Sequence, residues 1–84
     1  MEPTKLVELY IEAYFVMTGK RVNTLEDIPE SVYLFFNDMQ PSFLAEPVIL
    51  YYRRRKWSNR RVAAHVGVTE SKVKVVSKLH GLIK

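Results

Sequence analysis

Residues 57–83 contain two helix starts of one design, eleven residues apart, with a glycine between them. The first reads Trp57-Ser58-Asn59-Arg60-Arg61-Val62, and the second reads Val68-Thr69-Glu70-Ser71-Lys72-Val73. In each, an apolar residue precedes a Ser or Thr suited to cap a helix, and another apolar residue follows the cap by four. This is the hydrophobic staple, which fixes how a chain enters a helix. Gly67 stands where the first helix must stop, and glycine tolerates the left-handed backbone that so abrupt a turn demands. Two helices this close must cross sharply.

The residues around these caps break a local rule. A helix N-terminus carries partial positive charge, so an exposed cation there costs roughly 0.3–1 kcal/mol. Arg60, Arg61 and Lys72 nevertheless occupy the second and third positions after their caps, where a capping box would place Glu or Gln. An anion between dipole and cation relieves the repulsion, and a phosphate accepts hydrogen bonds from both the amides and the side chain. Each cation alone is equally well read as solvated; all three on one motif point to nucleic-acid backbone.

Charge is divided in the same sense. Residues 1–42 hold three basic against seven acidic side chains, a net −4, whereas residues 43–84 hold ten against two, a net +8. The basic half is expected to face a polyanion and the acidic half to face away or to meet protein. At 84 residues the chain is expected to form one domain, near the size at which a single core barely suffices, so burial against a partner would be a natural supplement.

Other functions find little support. There is no cysteine for a disulfide or a thiolate site, and His65 and His80 are joined by no carboxylate cluster, so neither metal nor other cofactor is expected. No nucleophile is paired with a base and no glycine-rich phosphate loop is present, so no enzyme is expected. The start does not resemble a secretion signal, and the apolar stretch 6–17 is broken by Glu8 and Glu12 and is too short to span a bilayer. The expectation is a cytoplasmic, nucleoid-associated protein, or a nuclear one in a eukaryote, with no membrane partner and no evident small-molecule ligand.

The chain reads as all-α, with about five short helices. Residues 4–18 are helical by pattern, with Lys5, Glu8 and Glu12 as the only charged stripe and Gly19 at the end. The rest of that helix is apolar or aromatic, wider than the face of an ordinary surface helix. It therefore either runs through the middle of the domain or is covered on one side by a second copy. Residues 20–23 read as a connection and 24–28 as a short helical turn. Pro29 favours a new start, with Val32, Phe35, Phe36 and Met39 on one face, and Pro41 is expected to close that segment. The next helix is expected from Glu46 or Pro47 to Lys56, with Val48, Ile49 and Tyr52 inward and Leu44 or Tyr51 at the margin. Arg53, Arg54, Arg55 and Lys56 end it, where cations suit the helix dipole even in plain water. One or two of them are also placed to reach phosphates flanking the motif.

Counted from Asn59, residues 59–78 resemble the twenty-residue core of the helix-turn-helix superfamily of DNA-binding proteins. That family wants apolar residues at the fourth, eighth, tenth, fifteenth and eighteenth places, a small residue at the fifth and glycine at the ninth. Here those places hold Val62, Val66, Val68, Val73, Val76, Ala63 and Gly67. The segment is most similar to three-helix domains of phage-type repressors and of sigma-factor and recombinase DNA-binding ends. Five residues follow Leu79, so the wing of winged-helix relatives is not expected.

The resemblance implies that the helix 70–80 lies in the major groove of double-stranded DNA, its N-terminal part against base edges. With Val73, Val76 and Leu79 turned inward, Ser71 and Lys74 would hydrogen-bond bases, Glu70 would accept from cytosine and Val75 would touch a thymine methyl. Lys72 and Lys78 are better placed for phosphates, as are Arg60 and Arg61, and Thr69 for capping. The face lacks Arg, Asn and Gln, which implies modest specificity. The leading expectation is a small transcriptional regulator that dimerises through its N-terminal helices. The alternatives are a protein-interaction adaptor, or an accessory DNA-binding factor in replication, recombination or plasmid maintenance.

Overall fold

Pro41, expected to close a helix, opens one. In the computed structural model, which describes residues 3–81, α1 spans Pro3–Thr18, α2 Glu30–Asn37, α3 Pro41–Arg54, α4 Asn59–Val66 and α5 Glu70–Leu79, with one 3-10 turn at Leu25–Asp27. The chain is all-α as expected, with five α-helices and no strand among the described residues.

Pro41 takes the first position of α3, where its missing amide is not needed. Pro47 then falls inside the helix and removes the amide that would bond the carbonyl of Phe43, a defect that costs about 3 kcal/mol in a free helix. Burial explains why the helix persists. The extra turn carries Leu44 and Ala45 into the core at 1% and 0% exposure, and each large apolar side chain so buried contributes roughly 1.5–3 kcal/mol. Leu44 is thus a core residue and not a marginal one, while Tyr51 is half-buried.

The middle of the domain belongs to α3, which packs against α1, α4 and α5. Val48, Ile49 and Tyr52 face inward as expected. The apolar breadth of α1 is largely absorbed within the chain. Leu9, Tyr10, Ala13 and Tyr14 enter the core, and Leu6, Ile11 and Val16 pack against it. Phe15 is flanked by the ring of Tyr51 at 5.4 Å and by the guanidinium of Arg21 at 4.0 Å. Val7 and Met17 are left exposed. On its other side Tyr10 meets Tyr33 and Phe36 of α2 edge-on, at 5.8 and 5.5 Å, and its hydroxyl donates to Asn37 Oδ1 at 2.8 Å.

One carboxylate ties α1 to the basic half. Glu12 Oε2 accepts from the Tyr52 hydroxyl of α3 at 2.6 Å, and Glu12 Oε1 accepts from Arg21 at 2.8 Å and lies 3.2 Å from His65 Nε2 of α4. Burial by itself would raise the pKa of this group, but the Tyr52 hydroxyl, Arg21 and His65 outweigh it. The Glu12 carboxyl is held below its ordinary value of 4.5. For Tyr52, burial and the bond to Glu12 both push the phenol upward.

Candidate nucleic-acid interface

Both expected caps form. Ser58 Oγ accepts from the Arg61 amide at 3.1 Å, and Thr69 Oγ1 accepts from the Lys72 amide at 3.1 Å. Each bond satisfies one of the free amides at its helix start. Behind the caps, Val62, Val66, Val73 and Val76 are buried at 3% exposure or less, Ala63 is buried, and Val68 packs at the edge of the same core. Gly67 turns the chain at φ 84°, with its own amide and that of Val68 both donating to the Ala63 carbonyl. Six of the seven positions behind the helix-turn-helix resemblance therefore pack together, and the seventh makes the turn.

The connection before α4 repeats this one. Lys56 is left-handed at φ 67°, its amide donates to the Arg53 carbonyl at 2.9 Å, and the Trp57 amide donates to the Tyr52 carbonyl at 3.2 Å. These two bonds define a Schellman motif, and its usual apolar contact is supplied by the rings of Trp57 and Tyr52 at 4.3 Å. An αL residue, an apolar residue and a hydroxyl cap thus precede both α4 and α5.

On α5, Glu70, Ser71, Lys74, Val75 and Lys78 are exposed as expected, and Lys72 is half-buried. Leu79 is not turned inward; it is 74% exposed, and Ser77 takes the core position at 0%. The helical repeat explains the correction. Ser77 follows Val73 by four and Val76 by one, on the side facing α3, whereas Leu79 has rotated past it.

Arg53, expected among the phosphate contacts, is half-buried and bonded within the chain. Its Nε donates to Ser77 Oγ at 3.3 Å, and a terminal nitrogen donates to the Trp57 carbonyl. It therefore joins the end of α3 to α5 and to the connection before α4. Arg54, Arg55 and Lys56 are exposed, with the Arg55 guanidinium 3.6 Å above the Tyr51 ring. Arg61 is exposed but lies 3.7 Å over Trp57, beside a cleft that it lines with Lys5, Glu8, Glu12 and His65. Arg60 is exposed and forms no ion pair among the described residues.

Sequence reasoning missed both polar ties, the carboxylate of Glu12 and the guanidinium of Arg53. Their partners lie 40 and 24 residues away, so no local pattern announces them. Among the described residues no group of three or more metal-ligating side chains gathers, and no helix is long and apolar enough to cross a membrane. Comparison with known protein families, curated proteins and solved structures finds no match to this chain.

Proposed function

We propose that α3, α4 and α5 act as a helix-turn-helix that binds double-stranded DNA, with α5 in the major groove, in a small non-enzymatic transcriptional regulator. The observation that carries this reading is the chemistry of the two capped helix starts. Ser58 and Thr69 satisfy one amide each, and cations stand in the same first turns, with no acidic residue in the first turn of α4. Arg60 is the clearest case, since none of the described residues forms an ion pair with it. A phosphate at these points is attracted by helix end and side chain together. Arg54, Arg55, Lys56, Lys72 and Lys78 extend the contact, and Glu70, Ser71, Lys74 and Val75 face the bases.

Titration of labelled duplex DNA at several salt concentrations tests this. The wild type should weaken steeply with salt, and Arg60→Ala combined with Lys72→Ala should reduce the slope of log K against log salt by about 1.8, near 0.9 per phosphate contact. Unchanged affinity and slope would remove the phosphate argument.

A second copy belongs to the same reading. Leu34, Phe35 and Phe43, at the corner between α2 and α3, are 53%, 54% and 58% exposed. A dimer covering them would present two α5 helices to half-sites about 34 Å apart. Light scattering with and without DNA checks this, and a monomer in both defeats it. The same side chains favour the adaptor as a second reading, which salt-independent failure to bind any duplex would support.

A further inference from the structure

We infer, resting on the DNA-binding reading above, that α5 recognises its site largely through thymine methyl groups, contacted by Val75 and Leu79. The two residues are four apart and therefore adjacent on one helix face. Val75 is 54% exposed and Leu79 is 74% exposed, and they are the two large apolar side chains that α5 leaves in solvent. Neither is buried in the core, to which α5 contributes Val73, Val76 and Ser77.

The surroundings select the occupant. Lys72, Lys74 and Lys78 frame the pair from the same helix, so whatever covers the stripe must carry negative charge at its rim and an apolar group at its floor. The major groove of a duplex has that arrangement, with phosphates on both edges. The C5 methyl of thymine is the one apolar group that its base edges present. The exposed remainder of α5 supplies few competing readers. Ser71 offers one hydroxyl, Lys74 can donate to guanine, Glu70 accepts, and there is no Arg, Asn or Gln, whose planar groups pair with guanine or adenine in a fixed bidentate geometry. Discrimination on this face therefore shifts from hydrogen bonding towards methyl contact, and Leu79 carries it one turn beyond Val75.

The test uses the full chain and a duplex selected from random sequences, prepared with thymine and again with uracil, which differs only by the missing methyl. Uracil should weaken binding about fourfold per contacted methyl, the equivalent of ~0.8 kcal/mol for a buried group of that size. Val75→Ala and Leu79→Ala, both at solvent-exposed positions, should each lose part of the thymine preference and bind the uracil duplex almost as wild type does. Equal wild-type affinity for the two duplexes, with steep salt dependence retained, overturns the inference and leaves the DNA-binding reading standing. Variants that lose affinity equally on both duplexes also overturn it. Failure to bind any duplex overturns both.

Discussion

Lys56 and Gly67 occupy equivalent places in two successive chain reversals, eleven residues apart, both left-handed, at φ 67° and 84°. Each is followed by an apolar residue and then by a capping hydroxyl, Trp57-Ser58 in one case and Val68-Thr69 in the other. The backbone asks the same of both positions, and only one has the residue that meets it without strain. A side chain with a Cβ costs roughly 1–2 kcal/mol in the left-handed region. A lysine kept where a glycine fits suggests a use for its charge, next to the start of α4.

Lys56→Gly should therefore separate stability from binding. Urea unfolding is expected to show a gain of about 1 kcal/mol from relief of the left-handed strain. DNA affinity is expected to fall, with the salt slope lower by about 0.9. A variant that is more stable and binds with an unchanged slope would assign Lys56 no phosphate.

Gly67→Ala should move stability the other way. The added Cβ would lie 3.3 Å from Lys5 Cδ, a methylene of α1 that packs over this turn. Backbone strain is the larger penalty, so the expected loss is about 1–2 kcal/mol. Gly67→Asn should lose less, because Asn is the side chain that best tolerates this conformation. Equal losses for Ala and Asn would transfer the effect from the backbone to crowding against Lys5.

The two helix starts were readable because every residue that makes them lies within a few positions of the next. Ser58 bonds the amide of Arg61, Thr69 that of Lys72, and the valines repeat at helical spacing. The same local logic does not distinguish Pro41 from Pro47, because each fits the first turn of a helix equally well. The choice between them depends on Leu44 and Ala45 finding a core built mostly by α1, α4 and α5. At the end of α5, apolar character favoured Leu79 as the inward residue, yet helical geometry turned Ser77 inward and Arg53 supplied the hydrogen bond that makes a buried hydroxyl tolerable. The exposure of Glu70, Ser71, Lys74 and Val75 is legible from periodicity, whereas that of Leu79 and the hold of Arg53 on the helix are not.

Arg53→Ala tests that positioning role. Removing the guanidinium leaves Ser77 Oγ buried without this donor and the Trp57 carbonyl without its bond, an expected loss of about 1–3 kcal/mol in stability. Affinity for DNA should fall with the salt slope unchanged, since a residue acting through the placement of α5 releases no counterion. A drop of about 0.9 in slope with unaltered stability would return Arg53 to the phosphate contacts.

Acid should loosen the attachment of α1. The Glu12 carboxyl is held below 4.5 in the folded chain, despite its burial, by the Tyr52 hydroxyl, Arg21 and His65. Its folded value lies below its unfolded one, so its contribution to stability is fully present above about 4.5 and is lost as pH falls through the lower folded value. Tyr52→Phe deletes the 2.6 Å bond to a charged acceptor and is expected to cost about 1.5–3 kcal/mol at neutral pH. Glu12→Gln should also be less stable at neutral pH, but its stability should change less than that of the wild type as pH is lowered below 4.5. Chemical denaturation of the three proteins across that range provides the measurement. Wild type and Glu12→Gln declining in parallel would show that another carboxylate governs the acid limb, and would reduce the Glu12 cluster to a neutral packing contact between α1, α3 and α4.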